Sequence, residues 1–217
     1  FPSMDRRGMD VAILFDPARL KLISAEPLSF VDAESFNADE LTRDILHCRF
    51  MFLEEIINVF VLHLPSKRNQ YVNLKLRNHI LKGLQGKLNE ISNSGEAVMI
   101  CGDFNANPDD ENVINLVSGD GTGKGLINPF KQKFEAESYS GFHGTEGLLF
   151  DQMIFSEEFF QEDFVLKFEA AKVFNHEKLR NRDRKYAARP ARTFAGTRYL
   201  GGYSDHFPVL TEFKINI

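Results

Sequence analysis

Tryptophan is absent from this 217-residue sequence, and cysteine nearly so. The two cysteines, Cys48 and Cys101, each lie inside an apolar, strand-like run. Two thiols so placed read as buried and free rather than as a disulfide or a metal site. No C-x-x-C or H-x-x-x-H pair is present to hold zinc. No G-x-S-x-G elbow is present to carry a serine nucleophile, and Ser204 lacks the strand-turn-helix setting one needs. The Gly-rich stretch at 118–125, S-G-D-G-T-G-K-G, has no G-K-[ST] and so is no P-loop, which leaves a flexible connection as the simpler reading. No stretch approaches the roughly 18 consecutive apolar residues of a membrane span. The sequence also opens F-P-S-M without an initiator Met, so a cut or processed start is expected. A targeting segment could have preceded it, which leaves localisation open between cytoplasmic and exported.

What the sequence does have is a sizeable apolar content, 43% of residues, with 21 phenylalanines. That is enough to build a full core, and it argues against intrinsic disorder. The length fits one large domain or two small ones, and no linker, internal repeat or boundary divides it. We read it as one domain over 1–217. The formal net charge is −5, so the chain as a whole has no pull towards polyanions, and any such site must be local. One candidate is the segment 172–198, which carries nine Lys and Arg against two acids, a local balance of +7. A run of this kind is either a solvated face or a clamp for a phosphate-bearing substrate.

Taken in order, Met9 to Phe15 reads as a strand, Asp16-Pro17 as a turn, and Leu20 to Ala25 as a second strand closing a hairpin. Residues 26–41 read as loop. Asp44 to Phe52 and Ile56 to His63 are two further strands, separated by the acidic Glu54-Glu55 and expected to pair. Residues 69–93 form the longest helical pattern. Leu76, Ile80, Leu84, Leu88 and Ile91 make one apolar stripe, Lys75, Arg77, Lys82, Lys87 and Glu90 fill the other faces, and Gly95 stops it. Ala97 to Cys101 is a short apolar run ending at G-D-F-N-A, which reads as a buried strand running into a loop. A helix between two strands makes them parallel, so the His63 and Asp103 ends meet at one edge of the sheet. Asp103 and Asn105 are two apart and in extended chain point to one side, where they suit a hard cation or a phosphate oxygen. The same tetrapeptide could instead be an Asx-turn bonding its own backbone.

Residues 108–117 read as a short helix with acids in its first turn, and 136–147 as polar loop. Leu148 to Ser156 reads as a strand with Asp151 in its middle, where a carboxylate needs a partner, either an ion pair or a histidine. Phe164 to Phe174 is strand or helix, undecided by periodicity. Val209 to Ile215 is a closing strand, preceded by Asp205-His206 at the border of a Gly-rich loop.

Four signals stand in chain order: H-L-P-S-K at 63–67, G-D-F-N-A at 102–106, F-D-Q-M-I-F-S at 150–156 and S-D-H-F-P-V at 204–209. Together they closely resemble the endonuclease/exonuclease/phosphatase superfamily, the DNase I-like group. R-R-G-M-D-V-A-I-L-F-D-P near the start and R-T-F-A-G-T-R-Y-L-G-G-Y-S-D-H near the end resemble a bacterial branch of it. The resemblance covers essentially the whole chain. It implies an α/β fold, a DNase I-like four-layer sandwich of two packed, mainly antiparallel sheets flanked by helices. It also implies earlier strands, one with an Asn motif and one with a metal-binding Glu, that this sequence does not contain. The chain then corresponds to the carboxyl-terminal two thirds of the domain, and apolar sheet surface or a sheet edge should be left exposed.

The activity implied is hydrolysis of phosphodiester or phosphomonoester bonds, dependent on Mg²⁺ or Mn²⁺ and nuclease-like. By the resemblance, Asp103 positions or deprotonates the attacking water, and Asn105 holds that water or a phosphate oxygen. His206 contacts the phosphate, and Asp151 pairs with His206 and keeps it protonated. Asp205 helps bind the metal, His63 contacts phosphate or acts as an acid, and Arg43 contacts phosphate. The competing reading is a non-catalytic phosphate- or polyanion-binding module of the same fold that has lost the metal-binding Glu. Substrate choice is not set by the fold. The basic segment, with Tyr186, Phe194 and Tyr199 beside it, favours nucleic acid or another polyanion.

Overall fold

A computed structural model describes residues 9–31, 42–67, 70–92, 94–119 and 125–216. Twelve strands and three α-helices are described: β1 Lys21–Leu28, β2 Ile45–Phe52, β3 Glu55–His63, α1 Gln70–Ser92, β4 Ala97–Asp103, α2 Glu111–Ser118, β5 Leu126–Ile127, α3 Phe130–Glu135, β6 Gly141–His143, β7 Glu146–Leu148, β8 Asp151–Ser156, β9 Leu166–Val173, β10 Phe194–Ala195, β11 Arg198–Tyr199 and β12 Val209–Ile215. Six of the strands form one sheet in the order β1-β2-β3-β4-β8-β5, and β9 pairs with β12 in a second. Within the large sheet only β3 and β4 run parallel, and α1 is the crossover between them. This is the mixed α/β architecture the sequence implied. None of the described helices is long and apolar enough to cross a membrane.

Strand periodicity divides the core. In β2, Leu46, Cys48, Phe50 and Phe52 turn to one face, as do Ile57 and Val59 of β3, Ala97 of β4 and Phe155 of β8. The alternate residues Phe60, Leu62, Val98, Ile100 and Ile154 turn to the other, where they meet Leu76, Ile80, Leu84, Leu88 and Ile91 of α1. The first face packs on the β9–β12 sheet through phenylalanines. Phe155 lies 5.7 Å from Phe168 and 5.6 Å from Phe213, and Phe159 lies 5.2 Å from Phe155, ring centre to ring centre. These phenylalanines are inter-sheet packing, at about 1.5–3 kcal/mol for each fully buried ring.

Several expectations are corrected. Met9 to Phe15 is not a strand and does not pair with Leu20 to Ala25. Its alternation is real, since Val11 and Ile13 pack on the phenylalanine-rich cluster and Phe15 on Phe50 at 4.9 Å, yet among the described residues it has no backbone ladder. The Asp16-Pro17 turn is present, with Arg19 and Leu20 N–H donating to Asp16 O, and the following strand pairs with β2 instead. That strand runs to Leu28, and the rest of the expected 26–41 loop, from 32 on, lies outside the described residues. So do residues 120–124 of the Gly-rich stretch. Arg77 is not on an outer face of α1 but is buried, with Nη1 donating to Pro65 O at 2.9 Å. The polar 136–147 segment contains the β6–β7 hairpin, and Phe164–Phe174 resolves as a strand, β9. Asp151 is the first residue of β8, not its middle, because Leu149 and Phe150 belong to neither strand and separate β7 from β8. Among the described residues β12 has β9 as its one strand partner, and Leu210 and Ile215 on it are exposed.

Candidate active site

The parallel β3–β4 register sets His63 opposite Asp103, and the antiparallel β4–β8 register sets Asp103 opposite Asp151. Counting by twos, His63 follows Ile57 and Val59, Asp103 follows Ala97, and Asp151 precedes Phe155, so all three continue the face that packs on the second sheet. They stand where that face runs out of apolar residues. The chain entering β12 then lays His206 onto the same place, fixed by Phe207 N–H donating to Ser140 O at 2.7 Å. The ligand atoms of Asp103, Asp151 and His206 all lie within 4.8 Å of one another. His206 Nδ1 donates to Asp151 Oδ2 at 2.7 Å, and His63 Nε2 lies 3.4 Å from Asp103 Oδ2.

Local backbone geometry makes the convergence possible. Gly102 has φ +136°, and a Cβ there would sit 1.9 Å from Leu62 O, so only glycine lets β3 and β4 close up just before Asp103. Asn105 is left-handed at φ 48°, a conformation asparagine tolerates. Its N–H donates to Asp103 Oδ1 at 2.8 Å, so the Asx-turn is real and orients the carboxylate. This corrects the expectation that Asp103 and Asn105 point to one side as in extended chain. The chain turns at Asn105, which is buried, and its Nδ2 donates to Leu64 O at 2.8 Å. Asn105 thus ties the loop after β4 to the loop after β3.

The charges are mutually perturbed. Burial raises the Asp103 carboxyl to about 6, and the neighbouring Asp151 adds to the rise, against the lowering influence of His206, the Asn105 N–H and Arg43. Burial alone would lower His206, but the hydrogen bond and charge of Asp151, with Asp103 and Asp205, outweigh it and push the imidazole up to about 9. At neutral pH the group is therefore an imidazolium beside two carboxyls. Arg43 is buried just before β2, at the edge where β3 ends, and its charge is felt at Asp103. Asp205 is exposed, acts on His206 through charge, and stands outside the group of three.

Three positioning residues were not singled out from the sequence. Ser140 is fully buried, and its Oγ donates to Asp151 Oδ2 at 2.6 Å. Asn107 Oδ1 accepts from Leu149 N–H at 2.9 Å, and Gln152 Nε2 donates to Ala106 O at 2.7 Å. The last two are written inside the G-D-F-N-A-N-P and F-D-Q stretches, while Ser140 has no local signal at all. The donor set suits a hard cation such as Mg²⁺ or Mn²⁺, which takes one or two carboxylates and completes its shell with water and phosphate oxygens. Burial first and the Asp151 charge second raise the Asp103 carboxyl, so a cation bound beside it would favour its ionised form. The thiols carry no such chemistry, since burial raises both Cys48 and Cys101, the latter to about 12.

Residues 1–215 match the Endonuclease/Exonuclease/phosphatase family. The chain belongs to this family. No curated protein sequence matches it. Among solved structures, Danio rerio TDP2 complexed with single strand DNA product superposes with a TM-score of 0.58 at 17% identity, covering 91% of this chain and 69% of that one. The human Nocturnin catalytic domain with bound sulfate anion gives 0.56 at 17% identity, covering 92% and 61%. A Bacteroides thetaiotaomicron mannosyl-6-phosphatase gives 0.58 at 15% identity, covering 91% and 68%. At these identities the likeness is one of fold, and the chain spans about two thirds of the length of each relative.

Proposed function

We propose that this chain carries the catalytic edge of a divalent-metal-dependent phosphoester hydrolase that acts on nucleic acid. The observation that carries the reading is the Asp103–Asp151–His206 cluster, a raised carboxyl beside a raised imidazole at the ends of adjacent strands. Titratable groups pushed apart in this way are a signature of acid–base chemistry. Asp103 accepts a proton from, or orients, the attacking water. His206, held protonated by Asp151, donates to a phosphate oxygen as negative charge builds there. Arg43 and His63 add positive charge and a donor at the same edge. Asn105 fixes the loop that aims Asp103. Mg²⁺ or Mn²⁺, held on the Asp103 side of the cluster with the help of Asp205, water and substrate oxygens, would supply charge neutralisation on the phosphate.

Nucleic acid is favoured over a phosphomonoester by the basic segment, which borders His206. Arg192 Nη2 donates to Phe142 O at 3.1 Å, Arg189 lies over the Phe142 ring at 5.6 Å, and Gly141 beside them abuts the His206 ring. A related fold binds a single-stranded DNA product, which is in keeping with this choice. The test is Asp103→Ala in the complete protein, assayed on a single-stranded oligonucleotide with Mg²⁺ or Mn²⁺. We expect hydrolysis that needs the metal and is lost in the variant. Metal-dependent hydrolysis surviving in Asp103→Ala overturns the mechanism. Phosphate binding with no hydrolysis by the unmodified protein would instead mark a binding module.

A further inference from the structure

Two members of the cluster, His206 and Asp151, also line a cleft of about 260 Å³. It is lined by Leu179, Tyr203, Ser204, Phe207 and Pro208 together with His206 and Asp151. Phe207 is buried, but Tyr203 is 75% exposed and so offers its ring to whatever enters. The backbone that carries it is fixed. Tyr203 O accepts from Thr193 Oγ1 at 3.0 Å, Gly202 N–H donates to Arg192 O at 3.1 Å, and Ser204 N–H donates to Ala191 O at 3.3 Å. Gly202 is packed so closely on Ala191 that a Cβ there would lie 1.9 Å from Ala191 O. The exposed tyrosine is therefore mounted on the basic segment, not on a free tail.

We propose that this cleft is a base-stacking subsite, taking the nucleobase next to the scissile phosphate of a single-stranded nucleic acid. The assignment rests on the phosphoester reading of the His206 cluster. Three features select the ligand. The cleft is smaller than the roughly 300–1,000 Å³ of sites for drug-sized molecules, which suits one flat ring system. Leu179, Tyr203, Phe207 and Pro208 give it an aromatic and apolar side, which suits stacking. The loop bearing Tyr203 is bonded to the basic segment at Ala191, Arg192 and Thr193, which suits a ligand that also carries phosphates. A base in a duplex is already stacked on its neighbours, so the strand must be single where it enters.

The experiment measures binding of two labelled eight-residue strands, oligothymidylate and a fully abasic strand of the same length and charge, by fluorescence anisotropy in EDTA. The protein is compared with Tyr203→Ala and Tyr203→Phe. Stacking on one aromatic ring changes affinity by about five- to 150-fold. We expect Tyr203→Ala to weaken oligothymidylate binding within that range, to leave the abasic strand within twofold, and Tyr203→Phe to bind as the unmodified protein does. Equal loss on both strands, no loss on oligothymidylate, or no preference of the unmodified protein for the strand with bases each overturns the subsite. Hydrolysis of the same strands in Mn²⁺ separates the two failures. Base-dependent binding without Asp103-dependent hydrolysis sinks the function and keeps the subsite. Asp103-dependent hydrolysis without base preference sinks the subsite alone.

Discussion

His47 and His206 each sit beside a carboxylate of the same sheet, and their surroundings differ in every respect that matters for chemistry. His47 lies in the middle of β2, buried, with its ring stacked on Phe60 at 4.3 Å. Its Nδ1 faces Glu26 at 3.2 Å and its Nε2 faces Asn58 at 2.9 Å, and Asn58 in turn donates to Glu96, which pairs with Arg49. Both ring nitrogens are taken, and none of the described clefts reaches the ring. His206 stands outside the strands, at the approach to β12, with one nitrogen committed to Asp151 and the ring lining a cleft. A histidine–carboxylate pair alone is thus no mark of a site. What marks His206 is placement at the ends of strands on the inter-sheet face, together with a second carboxyl, Asp103, within reach.

The comparison can be broken by exchange. His206→Asn should lower hydrolysis per folded molecule by about 10²–10⁴-fold, the range for losing a positioned acid–base group. His47→Asn should cost stability and spare hydrolysis. It removes a buried partner of Glu26 and Asn58, and leaving a buried group unsatisfied costs about 1–3 kcal/mol, while activity per folded molecule stays near that of the unmodified protein. Paired activity assays and thermal melts read both. Equal loss of activity in the two variants would erase the distinction.

A smaller but sharper effect is expected at Asp151. Its charge and hydrogen bond hold the His206 imidazole up near 9 against the pull of burial. In Asp151→Asn that support is gone, so the His206 resonance in an NMR titration should move to lower pH. An unmoved titration would show that Asp151 does not govern the histidine.

The pH dependence follows from the same two groups. Hydrolysis needs Asp103 ionised and His206 protonated, so the rate should rise through about 6 and fall through about 9. These limbs belong to the coupled cluster rather than to single residues. Stability follows its own sign. The folded His206 lies above the usual 6.5, so its contribution is full below about 6.5 and is lost as pH rises through about 9. Asp103 is also raised, from 3.8, so its folded state favours the acid form, and stability is lost as pH rises from about 4 through about 6. A flat rate profile between pH 5 and 9.5 contradicts this assignment. Smallest of all should be the response to thiol reagents at neutral pH, because burial raises both cysteines and Cys101 to about 12. Rapid modification of the folded protein, followed by absorbance, would contradict that burial.

Much of this was legible in the residues. Alternating apolar runs placed β2, β3, β4 and β12, and the single long stripe placed α1, so the parallel β3–β4 pair and the shared edge of His63 and Asp103 could be read directly. The Asp151–His206 pairing was legible too, once four motifs stood in family order. What could not be read was set by the third dimension. Arg77 looks like a solvated helix residue until the loop after β3 supplies Pro65 O as its acceptor. Ser140 lies in a polar stretch, and only the arrival of β8 makes it a donor to Asp151. The turn at Asn105 depends on a left-handed backbone that period-two counting cannot show. Met9 to Phe15 alternates as a strand does, but alternation reports a half-buried face and not a hydrogen-bonded neighbour.

The measurement that bears most directly on the account is a crystal structure of the protein with Mn²⁺ and inorganic phosphate. The account places the phosphate against His206 and Asp103 at the ends of β3, β4 and β8, with the His206–Asp151 hydrogen bond intact. Phosphate bound elsewhere on the basic segment, with the Asp103–Asp151–His206 cluster untouched, would contradict it.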